Sequence, residues 1–184
     1  MTMTDLLAAI VCADDIAPAA WHAVADIEAF CAAAEHHGVL PLVAERMRTI
    51  GGTAPEALAA RVVDLARMDA ATDLAREAEL RASLTALDAV GVRPVLFKGA
   101  HLAYRDYSRP DLRPRLDSDV LIPADRAARA AAHAALISRG YSTTPHVGGD
   151  LVMTQRMYAK RHEGSLLHAI DVHWRIANPQ VFSR

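Results

Sequence analysis

The stretch LFKGAHLAYRDYSRPDLRPRLDSDVLI, residues 96–122, runs from a short apolar segment through Lys98 and Gly99 to a strand-like run that holds two aspartates, Asp117 and Asp119. Side chains two apart on a strand point to the same face. The spacing therefore predicts that Asp117 and Asp119 project together, their Cα atoms about 6.6 Å apart from about 3.3 Å of rise per residue. Leu116, Val120 and Ile122 are expected to face mainly the other way, into a core. Burying an unpaired carboxylate is costly, so such a pair requires a cation.

A second stretch, LLHAIDVHW at 166–174, has the same grammar. Ile170, Val172 and Trp174 are expected on one face, Trp174 as core. Asp171 and His173 fall on the other, His173 as a neutral histidine bonded near the carboxylates rather than a ligand. A third carboxylate on a neighbouring strand would complete a two-metal site for Mg²⁺ or Mn²⁺. Such a site activates an attacking oxygen and stabilises a leaving one.

The sequence also supplies an anion side. Lys98 and Gly99 stand at a strand end just before a helix, where free N–H groups and the helix dipole favour phosphate. Between Arg93 and Arg115 there are six Lys or Arg against Asp106 and Asp111, a formal excess of four positive charges. The whole 184-residue chain has a net charge of −2. That balance excludes a general nucleic-acid binder and suits a nucleoside triphosphate better than a long polynucleotide.

Outward from these stretches the texture divides near residue 90. Residues 4–90 read as helices, rich in alanine, the best helix former. PAAWHAVADIEAFCAAAEHHG (18–38) reads as one helix stopped by Gly38, and a shorter one ends at Gly51 and Gly52. The segment from Pro55 to Gly91 reads as a long helix or two joined by a bend. After Gly91, strand and helix alternate. VRPVLFKG, LDSDVLI and SLLHAIDVHWRI are strands, PADRAARAAAHAALISRG is a helix, and YSTTPH and DLVMTQRMYAKRHE are strand candidates. The expected fold is α+β, a mixed sheet from 93–97, 116–122 and 166–175 packed by helices, with a helical N-terminal region (1–90) and a core at 91–184. Cys12 and Cys31 are expected as free buried thiols of a reducing cytoplasm. The leading apolar run of eight residues reads as neither signal peptide nor membrane span.

In order and spacing, LFKGAHLAY, RPRLDSDVLI, RGY and IDVHW resemble the bacterial nucleotidyltransferase family of the polymerase-beta-like nucleotidyltransferase superfamily, over about residues 91–176. The resemblance implies a nucleotidyltransferase-like sheet and a metal-dependent enzyme. Asp117, Asp119 and Asp171 would be its metal ligands and catalytic carboxylates, and Lys98, Gly99 and Arg113 its nucleotide-binding residues. The implied reaction transfers a nucleoside monophosphate to an acceptor hydroxyl on a small molecule, a protein or peptide, or an RNA end. Two departures stand out. Ala100 follows Gly99 where the superfamily usually places a serine or glycine, and Ser118 replaces the apolar residue expected between the aspartates.

Other readings compete. The aspartates would be structural partners of Arg113 or Arg115 in one. In another, the chain is a non-catalytic nucleotide-binding or regulatory module, such as one half of a toxin–antitoxin pair, and it has room for a homo-oligomer or a partner protein. His162, Glu163, His168 and His173 lack the spacing of a zinc site.

Overall fold

The computed structural model describes residues 2–12, 18–50, 54–143 and 154–176. The chain forms two compact units, one from residues 1–74 and 106–114, the other from 75–105 and 115–184. The division falls inside a helix rather than at Gly91, where the sequence texture changes. Gly51, Gly52, the second half of YSTTPH and the start of DLVMTQRMYAKRHE lie outside the described residues.

The first unit is helical. Helices α1 (Met3–Cys12), α2 (Pro18–His22), α3 (Ile27–His36), α4 (Leu40–Ile50) and the start of α5 (Glu56–Ala89) enclose Leu6, Ile10, Trp21, Phe30, Leu40, Leu58 and Val62. The segment expected as one helix over 18–38 is two. Asp26 breaks it, because its extended backbone and its side chain, which accepts from the Ala29 N–H at 3.0 Å, start a new helix. Gly38, at φ 65°, ends α3 as expected. Cys31 is buried, but Cys12, in the last turn of α1, is exposed, so only one of the two thiols is a core residue.

Helix α5 is continuous over 34 residues. Its later turns belong to the second unit, with β1 (Val95–Leu96), α6 (Lys98–Arg105), β2 (Ser118–Leu121), α7 (Arg126–Ser138), β3 (Ser142–Thr143), β4 (Gln155–His162) and β5 (Ser165–His173). The sheet is mixed, in the order β1-β2-β5-β4-β3, with β2 and β5 parallel and the other pairs antiparallel. Leu80 and Leu87 of α5 and Ala132, Ala135 and Leu136 of α7 pack on Val120, Ile122, Ile170, Val172 and Trp174. The fold is thus α+β, with helices packed on a mixed sheet. One expected core residue is displaced: β2 begins at Ser118, so Leu116 precedes it and is exposed. No helix among the described residues is long and apolar enough to cross a membrane.

Candidate active site

Strands β2 and β5 lie side by side with Asp119 directly opposite Asp171. Parallel neighbours stand about 4.8 Å apart, so this register forces two carboxylates together on one face. Both are buried, as is His173, two residues along β5 on the same face. Donor atoms of Asp119, Asp171 and His173 all lie within 4.8 Å of one another. The face is open beside them, since Met157 of β4, paired with Asp171, is 45 % exposed.

The two carboxylates have different surroundings. Asp119 Oδ1 accepts from Lys98 Nζ at 2.8 Å and lies 3.0 Å from His173 Nε2. The Asp119 backbone carbonyl accepts from the Phe97 N–H at 3.2 Å, which ties β2 to the Lys98 turn. Asp171 Oδ2 accepts from Gln155 Nε2 and lies 3.3 Å from His173 Nε2. Asp171 Oδ1 is buried with no hydrogen-bond partner among the described residues. Burial pushes the Asp171 carboxyl above its usual range. The charges of Asp119 and Asp117 push the same way, and those of His173 and Lys98 partly oppose them. The Phe97 and His173 rings meet in a T-shaped contact at a centroid distance of 4.8 Å.

The turn that delivers Lys98 has an unexpected geometry. Lys98, rather than Gly99, holds the left-handed backbone, at φ 50°. Gly99 lies in the first turn of α6. A left-handed lysine costs about 1–2 kcal/mol, and such outliers concentrate where structure serves function. Asp117 is exposed, sits one residue before β2, and has no hydrogen-bond or ion-pair partner among the described residues. Its charge nevertheless reaches Asp171. Arg113 follows the 3-10 turn Pro110–Leu112 and belongs to the first unit. Arg115 is buried with its guanidinium over the Tyr104 ring, 5.2 Å from the centroid. Among the described residues, Lys98 Nζ and His173 Nε2 are the side-chain groups in contact with Asp119.

Two groups of site residues carry no sequence motif. Gln155, a polar residue at the start of a strand, reveals its role only through the β4–β5 register. On the opposite face, His168 bridges Ser118 and Tyr141. The one hint of it in the sequence was a serine where an apolar residue was expected.

The residues fit a divalent cation. Two adjacent carboxylates offer hard oxygen donors, and Oδ1 of Asp171 is a buried acceptor with no hydrogen-bond partner among the described residues. A family model described as an uncharacterised nucleotidyltransferase matches residues 23–184. No curated protein and no solved structure matches the chain.

Proposed function

Since the chain belongs to that nucleotidyltransferase family, we propose that it transfers a nucleoside monophosphate from a nucleoside triphosphate to an acceptor hydroxyl, with Mg²⁺ or Mn²⁺ held by Asp117, Asp119 and Asp171. The observation that carries this reading is the in-register pair of buried carboxylates, one oxygen of which has no hydrogen-bond partner among the described residues. Bound divalent ions would supply the charge that aligns the triphosphate and stabilises the departing pyrophosphate.

The chain's own residues account for the rest. Lys98, half-exposed and mounted on the N-terminal turn of α6, reaches toward phosphate oxygens with its ammonium, while the amides of that turn, Gly99 among them, present N–H groups. Asp171 is the proton acceptor, because its raised carboxyl is more basic than an ordinary aspartate. The acceptor oxygen forms a bond to the α-phosphorus, its proton passes to Asp171, and the bond to the bridging oxygen breaks to release pyrophosphate. His173 and Gln155 hold the carboxylates in place.

The test is pyrophosphate release with each of the four nucleoside triphosphates, in Mg²⁺ and in Mn²⁺, offered water, small hydroxyl compounds, a serine- and tyrosine-containing peptide and RNA ends. Release that needs the metal and disappears in Asp119→Asn supports the proposal. Release of equal size in the variant contradicts it.

A further inference from the structure

The carboxylate face of β2 and β5 has a polar counterpart behind it. Ser83 Oγ lies 3.2 Å from the Tyr141 hydroxyl, which lies 2.7 Å from His168 Nδ1. His168 Nε2 in turn lies 3.1 Å from Ser118 Oγ. All four side chains are buried, with Tyr141 in the apolar cluster of the second unit and the charges of Glu79, Arg115, Arg76 and Lys160 acting on His168.

The protons in this chain run in one direction. Burial holds His168 near a pKa of about 4, so its ring is neutral at pH 7 and has one donor nitrogen and one acceptor. Burial also raises the Tyr141 phenol, which keeps its proton. Tyr141 accepts from Ser83 at 3.2 Å, so the short 2.7 Å link is the phenol donating to Nδ1. Nε2 carries the ring proton and donates to Ser118 Oγ, while Ser83 donates to Tyr141.

The end of the chain matters because of where Ser118 sits. It is the first residue of a strand only four residues long, with Asp117 before it and Asp119 after it. The β4–β5 register shifts between Lys160 and Arg161, next to the pairing of Lys160 with His168. Such irregularities re-aim side chains. An apolar pair would fill the same space but would give no directional bond at the point where the chain enters β2.

We infer that His168 is a positioning residue, whose bond from Nε2 to Ser118 Oγ fixes the entry of β2 and so the approach of Asp117 and Asp119 to Asp171. The inference rests on the metal-dependent reading above and adds residues that reading does not contain. Asp117 depends on the bond most, since it lies outside the strand and has no partner of its own among the described residues.

Two substitutions separate the two ring nitrogens. His168→Gln places an amide N–H near the position of Nε2, and His168→Asn reaches only as far as Nδ1. Binding of Mn²⁺ alone is measured by calorimetry on the whole chain, with thermal melting to confirm that each variant is folded at the assay temperature. The expected result is near-wild-type affinity in His168→Gln and a loss of about tenfold or more in His168→Asn and in Ser118→Ala, the usual effect of removing a group that orients a ligand. Should His168→Asn fail to fold, Ser118→Ala decides. Unchanged affinity in Ser118→Ala overturns the role. A wild-type chain that binds no Mn²⁺ overturns the metal reading, and the positioning role with it. Nitrogen-15 spectra of the histidines at pH 7 give a separate test: His168 protonated on Nε2 is expected, and protonation on Nδ1 overturns the role.

Discussion

Lys98 Nζ lies 2.8 Å from Asp119 Oδ1, so the cation that faces this aspartate within the chain is a lysine held by a left-handed backbone. Asp119 thus has a built-in counter-ion, whereas Oδ1 of Asp171 has no hydrogen-bond partner among the described residues. The two carboxylates differ in what they lose when changed.

Lys98 contributes through both its ammonium and its backbone. Lys98→Ala removes the ammonium and keeps the strain, and Lys98→Gly removes both. Without metal, both variants are expected to melt below the wild type, with Lys98→Gly about 1 kcal/mol more stable than Lys98→Ala. Saturating Mn²⁺ should narrow the gap between Lys98→Ala and the wild type, because a divalent ion takes over the neutralisation of Asp119. Urea titrations with and without Mn²⁺ measure both effects. Equal stability of the alanine and glycine variants would show that the backbone strain is absent.

Asp171 has the opposite balance. Its carboxyl is raised in the folded chain above the value of 3.8. The folded state therefore holds this proton more tightly than the unfolded state. Its contribution to stability falls as the pH rises from about 3.8 through the raised folded value, and the buried charge then opposes folding. Asp171→Asn should melt above the wild type at pH 7 without metal. That advantage should shrink as the pH falls toward 4, and stabilisation by Mn²⁺ should be lost. Melting curves across that pH range check the sign, and a variant less stable at pH 7 would contradict it.

His168 gives a second pH signature. Its pKa is lowered from 6.5 to about 4, mainly by burial. The unfolded chain then takes up a proton that the folded chain refuses, so stability is full above about 6.5 and declines as the pH falls toward about 4. That interval corresponds to about 3 kcal/mol. Chemical denaturation at pH 7 and pH 4.5 should show a smaller loss in His168→Gln than in the wild type, and identical losses would contradict the neutral buried ring.

The parts of this architecture that depend on periodicity were legible from the residues. Alternation in LDSDVLI and IDVHW assigned Val120, Val172 and Trp174 to the core and Asp119, Asp171 and His173 to the other face, because a strand has a period of two. Strand length was less legible: β2 starts at Ser118, which leaves Leu116 exposed and Asp117 outside the ladder. Partners set by register were not legible at all. Gln155 meets Asp171, and His168 meets Ser118, only because β4, β5 and β2 align as they do. The break at Asp26 was hidden because the apolar spacing continues across it, and a local cap overrode that periodicity.

The pairing of Lys98 with Asp119 also alters what Asp119→Asn should do. Treated as two carboxylates that merely repel each other, the pair would gain stability from the change. With Lys98 and His173 on Asp119, the metal-free variant should lose some. The decisive quantity is therefore the ligand-dependent part. Thermal melting of the wild type and Asp119→Asn, each with and without Mg²⁺ plus each nucleoside triphosphate, separates that part from the change in the metal-free fold. The account predicts that the wild type is stabilised by at least one metal–triphosphate pair, by about 2.7 kcal/mol at a hundred times its dissociation constant, and that Asp119→Asn gains nothing from it. An equal gain in both proteins, or no gain in the wild type with any triphosphate, would contradict the claim that this carboxylate cluster holds the metal and its nucleotide.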